Sequence, residues 1–174
     1  MATVPVHFGT LREHYPRRPG LTPELKKFMD SIPGTPCCVQ MSHALNMSQQ
    51  YVPKTYKGAR RQNSKITIDG DDYYYLLAVD EMEAWLTNRY GEGEVVHLDE
   101  DGKRRKPSAI KSYLYGYPGI LVFRDIGFGM HTELWDGAAI VQEDIAVDKC
   151  LSSHRVLFWN TQLAEPLYHY GPNL

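Results

Sequence analysis

Two stretches of the 174-residue chain carry side chains that could do chemistry together. GTPCCVQMSHALN (34–46) sets Cys37 and Cys38 at the head of a predicted helix, just after a proline. GFGMHTELWDG (127–137) sets His131 on a predicted strand, after two glycines. A thiolate can attack a carbonyl carbon, and an imidazole brought to it from another element can serve as its acid and base. The chemistry within reach of such a pair is hydrolysis or transfer at an acyl group.

On a helical wheel Cys37 points with Met41, Ala44 and Leu45, and His43 lies on the far side. The start of a helix has N–H groups it does not itself use and a positive partial charge, which favour a thiolate. The thiols also fit as small apolar fillers of a core. Zinc fits less well, because adjacent cysteines lack the usual C-x₂₋₄-C spacing and no histidine pair accompanies them.

His131 is one of seven histidines. His7, His14 and His169 lie near the termini, His97 sits beside an acidic hairpin loop and His154 opens the last predicted strand. Only His131 stands on an alternating strand, with Glu133 and Trp135 on its face and Met130, Thr132 and Leu134 on the other. The glycines before it would let another segment approach closely. An early helix-borne cysteine and a later strand-borne histidine is the order of papain-type hydrolases. A third member, to orient the imidazole, would come from across the Asp136-Gly137 turn. Gln142, Glu143 and Asp144 are candidates, and a two-residue loop puts Gln142 and Asp144 on the histidine side. Asp136 itself reads as a turn former.

The elements that must position these residues follow from patterning. Residues 1–20 read as an irregular lead-in. Thr22-Pro23 opens a helix with Leu25, Phe28 and Met29 on one face. Residues 48–70 are polar, with TIDGDD as a turn, and YYYLLAV (73–79) is a strand. Asp80 and Glu83 form a capping pair for a helix with Met82, Trp85, Leu86 and Tyr90 inward. A strand and hairpin loop over 91–106 and a short helix over 108–116, capped by Ser108, come next. Strands are expected over 119–124, 130–135, 138–143 and 154–160. The sum is one α+β domain over 1–174, with helices on one face of an antiparallel sheet.

Composition narrows the function classes. Net charge is −2, which gives no support to a nucleic-acid partner. The basic runs at 57–65 and 102–106 read as solvated loops. No run reaches the length of a membrane span, and the N-terminus shows no secretory h-region. The protein is then expected to be cytoplasmic, trimmed of a leader, or exported without one. Three cysteines do not make a disulfide framework. No metal or other cofactor is expected.

CCVQMSHALN is similar to the C-x-x-R-M-S-x-x-L-N segment of the type VI secretion amidase effectors, family 4. GMHTELWDG resembles that family's G-H-x-x-L-W-[DN]-G segment. YYYLLAVDEMEAWLTNRYG and GYPGILVF look like the family's strand–helix unit and the strand before its histidine, and VLFW also fits. The resemblance runs over roughly residues 20–162. It implies an NlpC/papain-like fold and a cysteine amidase that cuts the peptide stem of bacterial peptidoglycan between γ-D-glutamate and diaminopimelate. Such effectors are injected into another bacterium's periplasm, which agrees with the missing leader, and a cognate immunity protein plugs their active site.

The resemblance puts Cys37 on the nucleophile position, Cys38 on a structural one and His131 on the general base. The family's third residue is an aspartate eleven positions after its histidine. Here that position is Gln142, with Asp144 available if the hairpin is two residues longer. Gln40 stands at the motif arginine, Met130 stands before the histidine in place of glycine, and Cys150 lacks a partner for the family's second cysteine pair. Backbone N–H groups at the helix start would hold the oxyanion, and Tyr73–Tyr75 and Tyr113–Tyr117 are candidate groove aromatics. The competing readings are another papain-like thiol protease or acyltransferase, and an inactive domain that binds cell-wall peptides.

Overall fold

The run GILVFR has no polar face to offer water, and the structure covers both of its faces. The computed structural model describes residues 2–17, 21–31, 36–54, 63–142 and 145–162. In chain order they form β1 (Thr3–His7), α1 (Phe8–His14), α2 (Pro23–Ser31), α3 (Cys37–Met47), β2 (Asn63–Ile68), β3 (Asp71–Leu76), α4 (Val79–Tyr90), β4 (Glu94–Val95), α5 (Pro107–Tyr113), β5 (Gly119–Asp125), β6 (Phe128–Trp135), α6 (Val147–Leu151) and β7 (Arg155–Gln162). One sheet runs β1-β7-β5-β6, and β4 also pairs with β7. β1 is parallel to β7, and the other pairs are antiparallel. β2 and β3 form a separate hairpin whose turn residues Asp69 and Gly70 both have positive φ, 50° and 86°. That is what a tight Asp-Gly hairpin turn requires.

Register explains the apolar runs. Ile120 lies opposite Trp159, Leu121 opposite Phe158, Val122 opposite Leu157 and Phe123 opposite Val156. Ile120, Val122, Leu157 and Trp159 join a core with Leu11, Met41, Leu45 and Met82. Leu121, Phe123, Val156 and Phe158 join a second core with Ile110, Leu114, Trp135 and Leu151. A strand buried on both sides cannot alternate. The helices therefore do not keep to one face as expected: α1, α3 and α4 cover one side, and α5 and α6 the other. Among the described residues, no helix is long and apolar enough to cross a membrane.

Other expectations are corrected. Much of the expected irregular lead-in is β1 and α1, with Val4 and Leu11 fully buried. Pro5 is tolerated because β1 is an edge strand and the proline faces outward. Residues 138–142 are not a strand: only Ile140 bridges to Trp135. Asp136 Oδ1 accepts the N–H groups of Ala138 and Ala139, at 2.9 and 2.8 Å, and widens the turn beyond two residues. Ser108 is inside α5, whose N-cap is Lys106. Ala78 caps α4 without a side-chain bond. Asp80 instead accepts the Gly129 N–H at 2.8 Å and pairs with Arg124 at 2.8 Å, and Glu83 pairs with Arg124 and with Arg155 at 3.6 Å. The acids expected to cap α4 hold it to the sheet.

Candidate active site

α3 is enclosed, with every residue buried except His43 and Met47. Its buried polar side chains are all matched, as burial demands. Ser42 Oγ accepts the Leu76 N–H at 3.0 Å. Asn46 donates to the Tyr74 carbonyl at 2.8 Å and accepts the Val52 N–H at 3.0 Å. The serine and asparagine of MSHALN thus clamp the helix to β3 and the segment after α3. Gln40 Nε2 donates to the Pro16 carbonyl at 2.8 Å and to Gln142 Oε1 at 3.1 Å. These bonds fix where the first turn of α3 stands.

Cys37, Cys38 and Cys150 are all buried, so burial does not distinguish the thiols. Their neighbours do. Cys37 lies close enough to His131 to favour the protonated imidazole. Its Sγ lies 4.0 Å from that of Cys38. The Cys38 thiol is pushed well above its ordinary pKa by the hydrogen bond to Cys37, by burial and by the charges of Cys37 and Asp80, so it keeps its proton. Burial also raises Cys150, with the Glu133 charge adding to it.

His131 lies opposite Phe123, and the two rings stack 6.1 Å apart at 10°. Its Nε2 is 3.4 Å from Glu133 Oε2. Burial pulls the imidazole pKa down, but the nearby Cys37 and Glu133 outweigh it and lift the pKa to about 9. Glu133 is 1 % exposed, and its Oε1 accepts the Tyr15 hydroxyl at 2.8 Å. Burial raises the carboxyl pKa against the pull of His131 and Tyr15. It also lifts the Tyr15 phenol well above its usual value, helped by Glu133. The close approach expected at the glycines occurs at Gly129, where an added Cβ would lie 2.6 Å from Val79 Cβ.

Cys37 and His131, predicted from sequence, are therefore together. Gln142 is buried and bonded to Gln40, and Asp144 lies outside the described residues. Glu133 and Tyr15 stand in the site without having been singled out. Glu133 had a signal: two residues along a strand is the same face. Tyr15 had none, because it follows a helix in a stretch with no clear local pattern. Of the candidate groove aromatics, Tyr75 is in the core and bonds His43 Nδ1 at 2.8 Å, whereas Tyr113, Tyr115 and Tyr117 are exposed.

A thiol at a helix start, beside an imidazole that faces a buried acid, is an arrangement that can attack and release an acyl group. The family model for type VI secretion system (T6SS) amidase effector protein 4 (Tae4) matches residues 35–159. No curated protein sequence matches the chain. Tae4 from Enterobacter cloacae is similar in structure, with a TM-score of 0.61 at 17% identity, covering 93% of this chain and 100% of that one. Tae4 from Salmonella typhimurium, in complex with the immunity protein Tai4 from Enterobacter cloacae, gives a TM-score of 0.62 at 15% identity, over 90% of this chain and 99% of the other. The Tae4–Tai4 complex from Enterobacter cloacae gives 0.61 at 18% identity, over 91% and 100%. The shared architecture is the α+β, NlpC/papain-like fold expected from sequence. With the family model spanning well over half of its length, the chain belongs to the type VI secretion system amidase effector protein 4 family.

Proposed function

We propose that this effector is a cysteine amidase in which Cys37 is the nucleophile and His131 its acid–base partner, cutting the peptidoglycan stem between γ-D-glutamate and diaminopimelate. Membership of the family makes it an antibacterial amidase effector directed at the cell wall of a target bacterium. The observation that carries the residue assignment is the approach of Cys37, at the start of α3, to His131 on β6.

The Cys37 thiolate attacks the amide carbonyl, and N–H groups at the start of α3 hold the oxyanion. The C–N bond breaks as the His131 imidazolium gives its proton to the leaving amine. Water then attacks the thioester, with His131 as base, and the thiol is restored. Cys38 stays a protonated packing neighbour. The resemblance puts a third member at Gln142 or Asp144.

Tae4 has been solved bound to the immunity protein Tai4. A cognate immunity protein covering the Cys37–His131 site is the corresponding partner for this chain. Delivery by a type VI route needs no secretory leader.

The test is digestion of purified diaminopimelate-type peptidoglycan, with the products identified by mass spectrometry. The expected products carry a new γ-D-glutamate carboxylate and a new diaminopimelate amine. Cys37→Ala abolishes them and Cys38→Ala largely retains them. The reverse pattern would overturn the assignment of the thiol.

A further inference from the structure

We propose that Glu133, held by Tyr15, is the positioning residue that orients and charges His131, in place of a residue on the hairpin after β6. The proposal rests on the reading of Cys37 and His131 as the reacting pair.

A carboxylate 1 % exposed is costly unless both of its oxygens are matched. Tyr15 matches Oε1 at 2.8 Å. Among the described residues, Oε2 has no hydrogen-bond partner, and neither does Nε2 of His131. These two buried atoms face each other at 3.4 Å. A contraction of a few tenths of an ångström makes a charge-assisted hydrogen bond, and sites of this kind commonly tighten when substrate binds. A proton fixed on Nε2 leaves Nδ1 for the thiol, which is the tautomer that attack by Cys37 requires.

Gln142 carries no charge to stabilise an imidazolium, and its Oε1 is given to Gln40. Glu133 does carry one, and it reaches His131 along the strand rather than across the turn. Among the described residues, the ionisable groups facing the pair are Cys37 of α3, Tyr15 after α1 and Cys150 of α6, with Cys38 next to Cys37. None of these is a fixed positive charge that could stand in for the carboxylate.

The test is NMR titration of the His131 imidazole in the full chain, with kcat and KM measured in parallel. Glu133→Gln is expected to lower the His131 midpoint by about one pH unit or more. It should lower kcat by roughly 10²- to 10⁴-fold with KM little changed and circular dichroism unaltered. Tyr15→Phe keeps the carboxylate but removes its anchor, and should move the midpoint in the same direction by less. Gln142→Leu and Asp144→Asn should leave it in place. A midpoint that ignores Glu133→Gln, or one that follows Asp144→Asn instead, overturns the proposal. If Glu133→Gln does not fold, an unmoved midpoint in Tyr15→Phe overturns it. The titration needs no turnover, so a wild-type chain that cuts no peptidoglycan sinks the functional reading without touching this coupling.

Discussion

Gln40 on α3 and Gln142 beyond β6 are joined side chain to side chain, Nε2 to Oε1, at 3.1 Å, with both residues almost wholly buried. In the family segments that the chain resembles, the same two positions hold an arginine and an aspartate. The two departures therefore meet in one contact, which here is a neutral amide pair. Burying two charges costs several kcal/mol per ion before any attraction is counted, and an amide pair avoids that cost. The exchange also leaves no carboxylate at position 142, and among the described residues the acid that faces His131 is Glu133.

The two glutamines should therefore couple. Gln142→Asp puts a buried carboxylate against an amide and is expected to lower stability by about 2–4 kcal/mol. Gln40→Arg alone buries a guanidinium without its acid and should be similarly harmful. The double variant should recover much of the loss, with a coupling of about 1 kcal/mol or more in a denaturant-melt double-mutant cycle. Simple additivity would show that the two positions do not interact.

His131 dictates the alkaline side of the pH dependence. Its pKa in the folded chain is raised to about 9, whereas an unfolded histidine titrates near about 6.5. Folding thus favours the protonated ring. The associated stability is fully present below about pH 6.5 and is lost as pH rises through about 9. The leaving amine needs that proton, so kcat/KM should fall with an apparent pKa near 9. A fall near 6.5 instead would mean that neither Cys37 nor Glu133 supports the imidazolium.

The proposed reacting pair was legible because each member sits in a short pattern that fixes its direction. Cys37 is set by the helical repeat that shares its face with Met41 and Leu45, and His131 by alternation along β6. β5 and β7 were legible from their apolar runs. What escaped depends on partners far away in sequence. β1 has only Val4 and Val6 to mark it, and it pairs with β7 more than 150 residues later. AAIVQ reads as a strand, but Asp136 captures two N–H groups of the turn and the pairing ends after Ile140. Asp80 and Glu83 have the spacing of a helix cap, yet the sheet takes both: Gly129 and Arg124 bind Asp80, and Arg124 and Arg155 bind Glu83.

Gly129 ties the position of His131 to α4. An alanine there would bring its Cβ to 2.6 Å from Val79 Cβ and Cγ1 and to 2.9 Å from Asp80 Oδ1. The start of α4 is held by Arg124, so β6 must yield, and it carries the histidine two residues on. Gly129→Ala is expected to cost about 1–3 kcal/mol by overpacking, read from the thermal midpoint. It should also lower kcat more than the lost stability explains at temperatures where the variant is fully folded. Full activity in a destabilised variant would show that strand position and chemistry are independent.

The last prediction separates three thiols that burial leaves alike. Cys38 and Cys150 are raised above the ordinary thiol range, so each holds its proton near neutral pH. An alkylating agent needs thiolate, and of the three thiols Cys37 is the one beside the imidazole able to take its proton. Native protein treated with iodoacetamide near pH 7 should first gain a single adduct, on Cys37, identified by peptide mapping. Cys38→Ala should leave that rate within severalfold, because the two sulfurs share only a weak contact at 4.0 Å. His131→Ala should slow it to the level of the other buried thiols. A first adduct on Cys38 or Cys150 would remove Cys37 from the nucleophile's place, whatever the motif around it.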